Sequence, residues 1–348
     1  MAYTTINKSS LHFNTKLYTG NGGTNAITGV GFQPDKVWIK ERNGTNNHEI
    51  HDVVRGVNYQ IYTNLNNAQT NAANHLTTFG TDGFTVGSDG AVNTNSNTYC
   101  SWNWKAGNSQ GSSNTDGSIN TTYTSVNTTA GFSISQFEGT GSVATVGHGL
   151  GVQPSLIIVK NIDAAQNWLM YHKELGATKY LRLNLNNAEG SSSAVWNNTE
   201  PTTSVFTVGT DGAVNANGQT HVAYCFAEKT GYSKFGSYTA NNNADGPFIY
   251  LGFKPALAIL KITATSGNFH MFDNKRTTSN TSTSPWRLRA EADFAEAQDT
   301  NDKIDFVSNG IKIKSNSVSI NNHTGNVVYW AFAEAPIVGS NNIPATAR

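Results

Sequence analysis

Apolar side chains recur in the same order three times along this chain. Gly31-Phe32-Gln33-Pro34 runs through six steps of mostly apolar sequence to Lys40, Gly151-Val152-Gln153-Pro154 does the same to Lys160, and Gly252-Phe253-Lys254-Pro255 to Lys261. Each phrase reads as a turn feeding a strand rich in β-branched and apolar residues. Further on, Phe84-Thr85-Val86, Phe206-Thr207-Val208 and Ile311-Lys312-Ile313 alternate with period two, the pattern of half-buried strands. Asp82-Gly83, Asp89-Gly90, Asp211-Gly212 and Asn309-Gly310 supply residues that hairpin turns with positive φ require. Each unit closes on an aromatic strand: Tyr99 to Trp104, Tyr224 to Glu228, and Trp330 to Glu334. The one helix expected spans Ala290 to Gln298, where Ala and Glu are dense. Together these elements predict an all-β fold of tandem jelly-roll-like β-sandwich modules.

Pro34 and Pro154 stand 120 residues apart, as do Leu65 and Leu185, whereas Pro255 follows Pro154 by 101. A period of this size is a whole small domain, so three modules in a row are expected. The boundaries read as 1–108 for the first module, 109–125 for a Gly/Ser/Asn/Thr linker, 126–230 and 231–336 for the other two, and 337–348 for an extended tail. Aligned copies separate scaffold from the rest. Trp38 falls with Ile158 and Ile259, Trp102 with Tyr224 and Trp330, and Trp104 with Phe226 and Phe332, so these columns are expected to be core.

The polar positions are mostly Asn, Thr, Ser and Gly, and the formal net charge is zero. Such a surface does not neutralise phosphates, which argues against nucleic acid as a partner. No apolar run is long enough to cross a bilayer, and the N-terminus lacks the basic start and apolar core of a secretory signal. Synthesis in the cytoplasm without a signal peptide, and no membrane insertion, are therefore expected. Cys100 and Cys225 sit at non-equivalent places in their modules and are expected to be free thiols.

Candidate chemistry lies in a few places. Asp52 with Arg55, and Asp273 with Arg276, form a repeated Asp-x-x-Arg that is either a contact for sugars and carboxylates or a pair fixing a loop. In the second module His172 stands in the Asp place. His48, His51, His172 and His270 fall in one part of their modules, but no module brings three ligands at metal-site spacing, so no metal is expected there. Trp168, Trp196 and Trp286, with Tyr59 and Tyr62, have no consistent counterpart in the other copies. Trp196 and Trp286, the latter beside Arg287, adjoin loop sequence and are expected to offer contact surface for a glycan or partner; burial at a module or subunit interface is the alternative. Glu291, Asp293 and Glu296 have the spacing of jelly-roll glycan hydrolases, which need two facing carboxylates; an acidic loop is the simpler reading. With Asp299, Asp302 and Asp305 they also offer the oxygen ligands that calcium takes. No other cofactor, and no catalytic residue, is expected.

The order of Leu17 to Gly22, Gly31 to Lys40, His48 to Gly56, Asp82 to Gly87 and Trp102 to Ala106 resembles a repeated module of tail-fibre-like virion proteins of marine bacteriophages. Trp330 to Pro336 and Ile343 to Arg348 resemble the C-terminal ends of the same proteins. The resemblance implies a lectin-like, concanavalin-like sandwich and a non-enzymatic virion-surface component: tail fibre, spike or decoration. It also implies other virion proteins as partners, a homo-oligomer with a trimer expected, and attachment to a host-surface polysaccharide. A glycan hydrolase and a purely architectural component are the alternatives.

Overall fold

The computed structural model describes residues 3–280, 285–298, 300–322 and 325–338. The protein is all-β, built of antiparallel sheets arranged as three sandwiches. In module 1 the large sheet orders its strands Phe13–Thr19, Thr98–Trp104, Lys36–Glu41, Glu49–Asp52, Tyr59–Tyr62 and Thr70–Asn71. A small sheet of Asn25–Thr28, Gly83–Val86 and Leu76–Gly80 covers one face of it. Modules 2 and 3 repeat the plan, with Leu156–Asn161 and Phe253–Ile262 in the place of Lys36–Glu41.

Strand alternation gives each large sheet two apolar faces. One face is private to its module: Val37, Ile39 and Tyr99 pack with Leu76, Phe84 and Val86 of the small sheet. The other face carries Trp38, Trp102, Trp104 and their counterparts, and all three of these faces enter a single core. At its centre the column Trp104, Phe226 and Phe332 closes a triangle of rings, with centroids 6.3, 5.5 and 5.7 Å apart. The three modules thus form a ring about a pseudo-threefold axis, not a row.

Main-chain bonds confirm the closure. Gln69 N–H donates to Ile162 O (2.9 Å), Glu189 N–H to Thr263 O (2.8 Å), and Glu296 N–H to Arg42 O (2.7 Å). These are one head-to-tail contact made three times, and the third returns module 3 to module 1. The lysine ending each repeated phrase is buried; Lys40 donates to Glu41 O and Gly44 O of its own module (2.7 and 3.0 Å), while the other two serve the same joints. Lys160 Nζ donates to Asn66 O of module 1 (3.1 Å) and to Asn161 O and Gln166 O of its own (2.7 and 2.9 Å), and burial lowers its pKa to about 7. Lys261 Nζ reaches Asn186 O and Asn187 O of module 2 (3.2 and 2.8 Å).

Local structure departs from expectation in three places. Residues 290–298 contain no helix; Ala290 is buried in the shared core and Ala297–Gln298 is a short strand. Asp89 and Asp211 do not make hairpin turns but cap one-turn helices, each accepting from the N–H two residues on, at 2.8 Å. The stretch read as a linker is fastened to module 2, through bridges from Ser112 to Thr124 and Ile119 to Val146. Most of the C-terminal tail, 339–348, lies outside the described residues. No helix among the described residues is long and apolar enough to cross a membrane.

Candidate functional site

The two Asp-x-x-Arg pairs sit at the joints between modules. Asp52 Oδ2 accepts from Arg55 Nε and from Tyr224 Oη of module 2, both at 2.6 Å, while Arg55 Nη2 donates to Ile50 O (2.8 Å). Asp273 Oδ2 accepts from Arg276 Nε (2.5 Å) and from Trp102 Nε1 of module 1 (3.2 Å), and the Arg276 guanidinium lies 5.5 Å over the Trp102 ring. Both carboxylates are fully buried. Burial lowers His172, in the corresponding corner of module 2, to about 4. It is therefore neutral, donates from Nε2 to Tyr329 O of module 3 (3.2 Å) and accepts from Glu174 N–H at Nδ1 (3.2 Å). The pair thus works as an inter-module clamp.

Trp168 is buried in the shared core and donates from Nε1 to Tyr62 O of module 1 (2.8 Å). Trp196 does not provide exposed surface: it is buried in the private core of module 2, edge-on to Tyr171. Trp286 is half-buried, and Arg287 is buried in an ion pair with Asp302. The three acids of the hydrolase-like spacing do not share a cleft. Glu291 accepts from Phe269 N–H (3.0 Å), the role Asn64 and Asn184 play for His48 and Trp168; Asp293 is exposed; Glu296 pairs with Arg42 (2.7 Å). Asp302 and Asp305 have basic partners in Arg287 and Lys314, and Asp299 lies outside the described residues. Cys100 and Cys225 are free and buried.

The four histidines singled out by sequence do not assemble; His51 is joined instead by residues that spacing did not reveal. Glu49 and His51, two apart on one strand, point into the private interior of module 1, where His75 meets them from the segment before Leu76. The expectation that no module brings three ligands together therefore fails here. His51 Nε2 lies 3.2 Å and His75 Nδ1 2.8 Å from Glu49 Oε2. The far ring nitrogens are also engaged, His51 Nδ1 with Tyr59 O (3.0 Å) and His75 Nε2 with Asp89 Oδ2 (3.1 Å). Burial works to raise the Glu49 carboxyl, but the two histidines outweigh it and hold it below its ordinary value. For His75 burial works downward, and Glu49 with Asp89 reverse that, raising it. Comparison of the copies could have found this place: Leu169 and His270 occupy the position of Glu49, and Tyr180 and Arg287 that of Gln60.

A second feature is a groove at the joint of modules 1 and 2, lined by Arg55, Tyr59, Gln69, Gln110, Tyr123 and Gln136. Tyr59 and Gln110 are exposed, and Tyr123, Gln69 and Gln136 half-buried. At its floor Arg55 Nη1 and Gln69 Oε1 make no hydrogen bond among the described residues.

Fold and interior together define an all-β protein of three sandwiches closed on one core. The chain belongs to the family described as a domain of unknown function, DUF7483, which matches residues 8–336 and so spans all three modules. No curated protein and no solved structure matches it.

Proposed function

We propose that this protein is a non-enzymatic structural component of a bacteriophage particle, displayed at the virion surface, where it contacts polysaccharide of the host envelope. The groove between modules 1 and 2 carries the glycan part of this reading. Its wall combines tyrosine rings, whose faces stack on sugars, with glutamine amides, which donate to and accept from hydroxyls without net charge, and its floor holds an unspent donor and acceptor. The architecture supports the structural part. The buried carboxylates of the joints, Asp52 and Asp273, accept from Tyr224 and Trp102 of the neighbouring modules, and the threefold closure expected of three copies is made here within one chain.

The test has two arms. Antibody labelling of purified particles in the electron microscope is expected to mark the surface, and absence from particles overturns the structural reading. Binding of purified host polysaccharide by calorimetry is expected to weaken with Tyr59→Ala or Gln136→Ala, and equal affinity in both variants removes the groove. Release of reducing ends that is lost in Glu291→Gln, Asp293→Asn would instead establish a hydrolase.

A further inference from the structure

The interior of module 1 has a proton-counting problem that points to a ligand. A carbonyl only accepts, so the His51 nitrogen 3.0 Å from Tyr59 O carries a hydrogen. The His75 nitrogen 3.1 Å from the Asp89 carboxylate carries one for the same reason. With no further proton, each ring turns a lone pair inward, toward the same Glu49 oxygen at 3.2 and 2.8 Å. The Gln60 amide accepts at its oxygen from Tyr62 and Thr70 and turns its nitrogen inward, donating to His75 Nδ1 (2.8 Å) and to the Glu49 oxygens (3.0 and 3.1 Å), so the His51 lone pair still faces Glu49 with no donor between them. A cation held by Glu49, His51 and His75 removes that conflict. Two extra protons would make neighbouring imidazoliums in an interior where the His51 and Glu49 side chains are 0% and 1% exposed. One divalent ion supplies the same charge without that repulsion.

We propose that Glu49, His51 and His75 bind a first-row divalent cation of the zinc class. A tetrahedral ion with bonds of about 2.0–2.1 Å sets its ligand atoms about 3.3 Å apart; the His51 and His75 nitrogens lie 3.2 and 2.8 Å from Glu49 Oε2, and all three ligand atoms lie within 4.8 Å of one another. Two imidazole nitrogens with a carboxylate select such an ion over calcium or magnesium. The outer bonds from Tyr59 O and Asp89 are the second shell that fixes metal-binding histidines. Module 3 offers a contrast: there Arg287 and Asp302 bring a guanidinium and a carboxylate together beside His270, so that interior is balanced by side chains alone. The site is closed, and it ties a strand of the large sheet to the segment entering the small one. Its role is a staple through module 1, independent of any glycan contact.

The test uses the untagged full chain, stripped with chelator and given Zn2+ or Co2+. Elemental analysis after gel filtration is expected to find one metal per chain. Co2+ is expected to show the visible bands of low-coordinate nitrogen and oxygen ligation, and Zn2+ to raise Tm. His75→Gln is expected to abolish uptake, and Asp89→Asn to weaken it by about 10- to 100-fold. No stoichiometric uptake by the wild type, or uptake undiminished in His75→Gln, overturns the site. If His75→Gln fails to fold, the wild-type Co2+ spectrum decides, since one identical to the aqueous ion also overturns it.

Discussion

Asp52→Asn tests whether the three modules are one cooperative unit. The substitution keeps shape and an acceptor for the Arg55 main-chain N–H, but it removes the charge facing a buried guanidinium and the strong acceptor of Tyr224 Oη. Removing one partner of a buried ion pair costs about 3–5 kcal/mol, and the retained acceptor puts this case near the lower end. Two native thiols read the consequence in different places. Cys100 lies in the shared core and Cys225 in the private core of module 2, both fully buried, and burial raises both thiols, so neither reacts unless the structure opens. If opening is global, about 3 kcal/mol accelerates labelling of both cysteines by roughly a hundredfold, by the same factor, with one circular-dichroism transition shifted to lower denaturant. Acceleration at Cys100 with Cys225 unchanged would show that the shared core opens while module 2 stays closed, and the single cooperative unit would be refuted.

Three other outcomes follow from the same contacts. Lys160→Met leaves Asn66 O and Gln166 O without their ammonium donor and is expected to destabilise by about 2–4 kcal/mol, read as a lower denaturation midpoint. Burial raises the Glu291 pKa from 4.5 to about 7, so the folded chain holds this proton more tightly than the unfolded one. The stabilisation is complete below about pH 4.5 and is lost as pH rises through about 7; the urea midpoint should fall over that window, and Glu291→Gln should flatten the fall. A fragment of residues 1–108 keeps its private core but exposes Trp38, Trp102 and Trp104, and is expected to bind a hydrophobic dye and to melt without a cooperative transition.

Much of the fold was legible because strand periodicity and repetition are local. The columns Trp38, Trp102 and Trp104 are core as the aligned copies indicated, yet alignment alone could not say that three columns meet one another. A clue was present. Lys36–Glu41 and Leu156–Asn161 are buried at every position, and such strands read as near-continuous apolar runs because both faces of the sheet are covered. The helix expected at 290–298 failed because tertiary contacts outweighed Ala-rich propensity: Glu291 takes the place of Asn64 and Asn184, and Glu296 must reach Arg42. Trp196 adjoins loop sequence, but it ends a one-turn helix closed by Asn197 at φ 50°, and that turn carries the indole inward.

The ring explains where chemistry could diverge. A residue on the axis touches its own counterparts, so a change at Trp104, Phe226 or Phe332 is felt by all three modules, and each copy keeps a large aromatic there. At the joints variation comes as matched sets: where His172 replaces the Asp it is neutral, and no Arg accompanies it. The private interiors are insulated from one another by the sheets. There the same position holds Glu49 among histidines, Leu169 beside aromatic side chains, and His270 beside Arg287 and Asp302. Loss of the metal staple should therefore lower stability through module 1 while leaving the Trp104, Phe226 and Phe332 triangle intact. Indole resonances of Trp104 that shift on adding Zn2+ as much as those of His75 would contradict that insulation.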